Sequence, residues 1–267
     1  MTSALPNAAP ALSILIPCYN EEASIGSTVR VLVQAMDAAA MSYEILCVNN
    51  ASKDSTESVL QGLSSEFPHV RYVNTPPLAG YGVAVRWGLQ HFAGDAVVIV
   101  MADGSESPED ILRFAGKIAE GYDCAFGSRF QPESVVEGYP KFKMLLNRLG
   151  NRLIGWTTGF DYDDFTNGFK CYRREVIDAI QPLYGEKFNL TIEMSINATM
   201  TKPRIAVVAN SWRDRSEGTS KFDVLGQSSL YLFTLGYCWL RRKMQGNSWA
   251  DFSKALSRPA RTPAAYD

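Results

Sequence analysis

Few side chains in the sequence could do chemistry at a chosen point, and the first of them is Asp103. It stands between an unbroken apolar run, Ala96 to Met101, and a helix-opening signal, Ser107-Pro108-Glu109-Asp110. A carboxylate between a buried strand and a helix start either caps the loop or holds a divalent cation bridging a diphosphate. Further along lie groups suited to anions: Arg129 after Gly127-Ser128, and Arg215 and Lys221 close together. A guanidinium grips phosphate with a two-pronged fork, and an ammonium acts as a point charge. Taken singly, each of these basic residues reads as a solvated salt bridge. His69 and His91 stand alone, and Cys18, Cys47, Cys124, Cys171 and Cys238 have no metal or redox spacing. A histidine-based metal site or triad is thereby excluded, and free thiols in a reducing compartment are expected.

The elements that must position these residues follow from periodicity. With 267 residues, 46% of them hydrophobic, the chain can bury one large core or two small ones. Its net charge of −2 gives no reason to expect nucleic acid as a partner. Ser13 to Pro17 reads as a strand. Asn20 is the expected N-cap of a helix carrying Ile25, Val29, Leu32 and Met36, with Glu21 and Glu22 at its positive end. A strand over Glu44 to Val48 precedes a capping box, Asp54 with Glu57, opening a helix through Leu63. Val70 to Val73 is a third strand, and the turn Ala79 to Gly82 leads into a helix ending near Phe92. The Ala96 to Met101 run follows, uniformly apolar like a strand covered on both faces. Next comes a helix from Pro108 to about Glu120, with Ser107 and Asp110 as a second capping box, and then a strand over Cys124 to Gly127. This alternation implies an α/β fold with a mostly parallel sheet flanked by helices. The ligand crevice belongs at the carboxyl ends of its strands.

The second part is less regular. Lys141 to Trp156 places Leu145, Leu149, Leu153 and Trp156 on one face, with Lys141, Arg148 and Arg152 off it. From the residues alone, a helix packed on the sheet is favoured over one lying on a membrane. Val224 to Leu240 carries no charge over about 17 residues and is bounded by Asp223 and Arg241-Arg242-Lys243. That falls short of the roughly 20 residues a span needs, so an interfacial or partner-facing helix is expected. Residues 1–11 and 244–267 read as flexible tails, 12–222 as one domain and 223–243 as the apolar segment. Met1 to Leu12 lacks the pattern of a secretory signal.

Several motifs, in order, resemble one family. Pro17-Cys18-Tyr19-Asn20-Glu21 is similar to the opening motif of family 2 glycosyltransferases with the GT-A fold, and Gly80-Tyr81-Gly82-Val83-Ala84, Gly94-Asp95 and the Asp103 loop follow in the expected sequence. Gly127-Ser128-Arg129-Phe130, Asp164-Phe165-Thr166-Asn167-Gly168-Phe169-Lys170 and Arg215-Ser216-Glu217-Gly218-Thr219-Ser220-Lys221-Phe222 resemble its dolichol-phosphate mannosyltransferase branch. The resemblance covers roughly Leu12 to Lys243. It implies inverting transfer of a sugar from a nucleotide-diphosphate donor (GDP-mannose or a UDP-hexose) to a polyprenyl phosphate, dolichyl or undecaprenyl. It further implies a peripheral enzyme on the cytoplasmic face of a membrane.

On that resemblance Asp103, helped by Ser105, holds Mg²⁺ or Mn²⁺. Pro17, Tyr19, Glu21, Asn50, Ser52 and Gly82 bind the nucleotide, and Ser128, Arg129, Arg215, Ser220 and Lys221 bind the acceptor phosphate. Asp164 and Arg215 join Asp103 as catalytic candidates, Asp164 either as a positioning group or as a base. An oligomer is compatible with all of this. The chain departs from the family at two places. Met101 stands where Asp-x-Asp has its first carboxylate, leaving the metal one ligand short, with Ser105 or Glu106 able to assist. Asn49-Asn50-Ala51-Ser52 replaces the usual Asp-Asp-x-Ser. The alternatives are a family 2 transferase with a non-lipid acceptor, and a non-catalytic subunit that binds nucleotide sugar or lipid. A nicotinamide dehydrogenase is excluded, because the first strand does not run into a glycine-rich turn.

Overall fold

The computed structural model describes residues 9–137, 141–213 and 224–245. Its first half alternates as the periodicity predicts: β1 (Leu12–Cys18), α1 (Ile25–Ala38), β2 (Tyr43–Asn49), α2 (Thr56–Glu66), β3 (Val70–Asn74), α3 (Tyr81–Gly88), β4 (Ala96–Ile99), α4 (Pro108–Ala119) and β5 (Cys124–Ser128). The second half adds β6 (Val136–Glu137), α5 (Lys141–Thr158), β7 (Lys170–Arg173), α6 (Arg174–Ile180), α7 (Asn189–Met200), β8 (Ile205–Ala209), β9 (Trp212–Arg213) and α8 (Val224–Gln245).

Seven strands form one sheet in the order β3-β2-β1-β4-β7-β5-β8, and β6 pairs with β9 separately. All pairings in the large sheet are parallel except those of β7, which runs antiparallel to both β4 and β5. Successive strand residues point to opposite faces. Thus Ile14, Ile16, Ile45, Cys47 and Val98 join the core under α1, α2 and α4, while Leu15, Leu46, Val48, Val97 and Ile99 join the core under α3, α6 and α7. Burial on both faces is why these strands read as apolar runs rather than alternating ones.

Local caps differ from the sequence expectation in an instructive way. Asn20 does not cap α1; it sits at φ 55, and its Oδ1 accepts from Lys53 N–H at 2.8 Å, tying the β1 and β2 loops together. Ser24 takes the N-cap place instead. Asp54 Oδ1 accepts from Thr56 N–H at 3.0 Å, but Glu57 accepts from Asn74 Nδ2 at 2.8 Å rather than reaching back. Ser107 Oγ caps α4 by accepting from Glu109 N–H at 3.2 Å. Asp110 turns inward, pairs with Arg113 and accepts from Ser211 N–H at 2.9 Å. For Asn20, Glu57 and Asp110 a partner distant along the chain replaces the local contact, while Ser107 caps as expected.

Candidate active site at the carboxyl rim of the sheet

The reversed direction of β7 decides what meets at the rim. β4 and β5 leave the sheet at the end where β7 enters it. The loops after Ile99 and Ser128 and the loop before Lys170 therefore share one edge. Asp103, Arg129 and Asp164 lie on these three loops.

The Asp103 loop is held from below and shaped by its own backbone. Thr28 Oγ donates to Ala102 O at 2.9 Å, fastening the loop to α1. Gly104 has φ 69, the left-handed region that a residue with a Cβ rarely adopts. That turn lets Asp103 Oδ1 accept from Ser105 N–H at 3.1 Å. Glu106 then folds back, and its Oε2 accepts from Met101 N–H at 2.9 Å. A carboxylate thus lies at the backbone of Met101, the position where the resemblance expects an acidic side chain. Burial of the Glu106 carboxyl, with the nearby Asp103 charge adding, pushes its pKa up to about 7. Among the described residues no group of three or more His, Cys, Asp or Glu clusters as a metal site. Asp103, Ser105 and Glu106 offer a small set of hard oxygen donors.

Arg129 and Asp164 form a buried fork. Arg129 Nε donates to Asp164 Oδ2 at 2.8 Å and its Nη2 to Oδ1 at 2.7 Å; Arg129 N–H also reaches Oδ2 at 3.0 Å. Asp164 is fully buried and Arg129 nearly so. The loop around Asp164 is braced by Lys170, whose Nζ donates to the carbonyls of Asp164, Phe165 and Asn167. Burial holds this ammonium down to a pKa of about 7. The brace continues to α5: Thr166 Oγ donates to Asn147 Oδ1 at 2.6 Å, and Asn151 Oδ1 accepts from Thr166 N–H at 3.2 Å.

Three residues expected at the ligands are buried and engaged within the chain. Asn50 is buried and its amide is consumed internally. Nδ2 donates to Thr75 Oγ and Leu78 O, both at 2.9 Å, and Oδ1 accepts from Gly80 N–H at 2.7 Å. Gly82 is buried under residues 185–186. Its N–H donates to Glu186 O at 2.9 Å, and a Cβ there would stand 2.3 Å from Gly185 O. Glycine at 82 permits this close packing. Ser128 is buried, donating to Asp163 Oδ1 at 2.6 Å and accepting from Phe130 N–H at 3.1 Å. All three tie neighbouring loops together at the carboxyl end of the sheet.

Pro17, Tyr19, Glu21 and Ser52 remain at the ends of β1 and β2, none of them buried. Ser52 Oγ accepts from Asn20 N–H at 3.1 Å, and Glu21 Oε2 accepts from Ser24 Oγ at 2.7 Å. Arg215, Ser220 and Lys221, and the side chains of Lys141 and Arg242, lie outside the described residues.

Sequence reasoning missed two supports. The segment 184–187 is pinned by buried Glu193, which accepts from Tyr184 and Gly185 N–H, and Tyr81 stacks on Phe188 at 4.4 Å. No periodic signal marks it. Lys170 was detectable as a lone cation inside the apolar strand sequence around Phe169 and Cys171.

The helices at the back of the site turn apolar side chains outward, which departs from the sheet-packed reading of α5 and agrees with the interfacial or partner-facing reading of the segment after Asp223. On α5, Leu145, Leu149 and Trp156 are 56%, 54% and 83% exposed. The leucine face points outward, and Asn151 and Ile154 are the side chains turned in. Along α8, Leu232, Phe233, Leu240 and Met244 are likewise exposed. The helix reaches Gln245, past the expected end at Lys243. Among the described residues no helix is long and apolar enough to cross a membrane.

Comparison with known proteins bears on this geometry. The family described as "Glycosyl transferase family 2" matches residues 13–181. An undecaprenyl-phosphate 4-deoxy-4-formamido-L-arabinose transferase of Shewanella sediminis is 28% identical over 82% of this chain and 64% of its own. A polyprenol monophosphomannose synthase of Mycolicibacterium smegmatis is 28% identical over 78% of this chain and 79% of its own. The chain spans between half and two-thirds of the length of the first three curated relatives it matches. Among solved structures, glucosyl-3-phosphoglycerate synthase from Mycobacterium tuberculosis, crystallised with Mn²⁺, UDP and phosphoglyceric acid, superposes with a TM-score of 0.65. That match is 19% identical and covers 86% of this chain and 78% of the other, a likeness of fold.

Proposed function

The chain belongs to glycosyl transferase family 2, and from that premise we propose that it moves a sugar from a nucleotide-diphosphate donor to a polyprenyl phosphate, with inversion. The observation that carries the proposal is the meeting of Asp103, Glu106 and the Arg129–Asp164 fork at one rim of the sheet. The two relatives named for polyprenyl-linked products support the acceptor class.

Asp103 and Glu106, with Ser105, are the residues that would hold Mg²⁺ or Mn²⁺. The carboxylate folded onto Met101 N–H makes up the acid missing from position 101. Once bound, the cation supplies charge neutralisation of the departing diphosphate. Neighbouring folds crystallised with Mn²⁺ or Mg²⁺ and UDP support a divalent ion.

Pro17, Tyr19, Glu21 and Ser52 are the groups placed to meet base and ribose. The acceptor needs no strong base, because a polyprenyl phosphate oxygen is already anionic at neutral pH. Asp164 therefore acts as a positioning residue: its fork with Arg129 sets that guanidinium toward the acceptor phosphate, where Arg215 and Lys221 would join it. The lipid substrate and the outward apolar faces of α5 and α8 support peripheral membrane contact, on the cytoplasmic side where nucleotide sugars are made.

The test offers labelled nucleotide sugars together with polyprenyl phosphate and follows label into the organic phase. Transfer is expected with one donor and is abolished in Asp103→Asn. Glu106→Gln is expected to weaken Mn²⁺ binding, read by electron paramagnetic resonance without any turnover. Label entering only a water-soluble product would transfer the proposal to a non-lipid acceptor. No transfer with any donor would sink the enzymatic reading.

A further inference from the structure

A groove of about 710 Å³ runs between α5 and the loop before β7, lined by Phe130, Arg148, Arg152, Trp156, Phe160 and Asp161 among others. Neither Asp103, Glu106, Arg129 nor Asp164 lines it, so an occupant would sit beside the catalytic crevice and not in it. Arg148 and Arg152 are one helical turn apart and exposed, and neither has a carboxylate within salt-bridge distance among the described residues. The Arg148 guanidinium lies 5.1 Å from the centre of the Phe130 ring, which holds it at the groove wall. Of the two acids that line the groove, Asp163 is engaged by Ser128 and Gln131, and Asp161 is exposed. Two guanidiniums therefore face one uncommitted carboxylate. The aromatic wall continues through Trp156 into the outward leucine row of α5.

We infer that this groove binds the phosphate of an anionic bilayer phospholipid, with the acyl chains leaving along Leu145, Leu149 and Leu153. Paired guanidiniums suit a phosphodiester, and the apolar row beside them suits the chain attached to it. The site fixes how the domain is oriented on the membrane, separately from acceptor binding. The inference rests on the membrane contact proposed above and adds the partner's chemistry and the residues that read it.

The experiment measures binding to vesicles of phosphatidylcholine alone and mixed with phosphatidylglycerol. The double variant Arg148→Gln, Arg152→Gln is compared with a charge-matched control, Arg30→Gln, Lys117→Gln. The groove variant is expected to lose roughly thirtyfold in affinity for the mixed vesicles, from two charges at the surface. The control is expected to lose far less, and both are expected to keep the parent's melting temperature. Trp156 emission should be quenched by bromine-labelled phosphatidylglycerol in the parent and not in the groove variant. Equal losses in both variants would reduce the effect to general charge and overturn the site. A raised KM for short-chain polyprenyl phosphate in detergent, confined to the groove variant, would reassign the groove to the acceptor and also overturn it. Absence of transfer in the parent under that detergent assay would defeat the proposed function while leaving the vesicle result to stand.

Discussion

Helices α4 and α5 both carry an apolar stripe at helical spacing, yet α4 buries its stripe and α5 displays it. Ile111 and Phe114 of α4 are fully buried against the sheet, and its N-terminus is capped by Ser107. On α5 the leucine row faces out, and the side turned in carries Asn147 and Asn151, hydrogen-bonded to Thr166 and so to the loop that holds Asp164. An amphipathic stripe says that something apolar must cover it; it does not say that the cover is the same chain. Where the inward side is polar and committed to the site, the apolar side is left for another surface.

The contrast can be broken at either helix. Phe114→Ala is expected to cost about 3–5 kcal/mol in urea unfolding, since it empties a packed core position. A cost below 1 kcal/mol would mean that α4 is as loosely held as the outer face of α5. Asn151→Ala should cost less, about 1–3 kcal/mol, by leaving Thr166 N–H without its acceptor.

A pH series sharpens the account of the brace behind α5. Burial lowers the Lys170 pKa from 10.5 to about 7 in the fold. Between those values the unfolded chain binds the extra proton, so stability rises with pH above about 7 and falls as pH is lowered toward it. The contribution is on the order of 1 kcal/mol per pH unit and should vanish in Lys170→Gln. A slope surviving in the variant would remove Lys170 as its source. The smallest effect belongs to Leu149→Ala, expected within about 0.5 kcal/mol of the parent in solution. The same variant should weaken vesicle binding; a large loss of stability instead would show that the row is covered by the chain itself.

Much of the fold is legible in the sequence, because strands buried on both faces announce themselves as apolar runs and each helix repeats its contacts every three or four residues. Strands β1 to β5 and helices α1 to α4 follow from that pattern to within a few residues. What was not legible depends on partners distant along the chain. Asn50, Gly82 and Ser128 have the residue types of a binding loop, but their hydrogen bonds go to residues 75–80, 186, 163 and 130. Glu106 is legible as a group able to assist Asp103, but its hydrogen bond to Met101 N–H, reached across the positive φ of Gly104, is not. Which face of α5 points inward likewise required knowing where Thr166 would lie.

The reversed strand has a consequence for tolerance to error. β7 pairs through only a few residues, from Lys170 to Arg173, and side chains on a strand alternate between faces. A slip of a single position would swing the Lys170 ammonium to the opposite layer and leave Cys171 in its place. It would also draw Asp164 along the edge and away from its guanidinium. An insertion or deletion between Thr166 and Tyr172 should therefore be far more damaging than one of equal length in the connection after β3, and a scan of single-residue insertions would map the register that holds Asp164 beside Arg129.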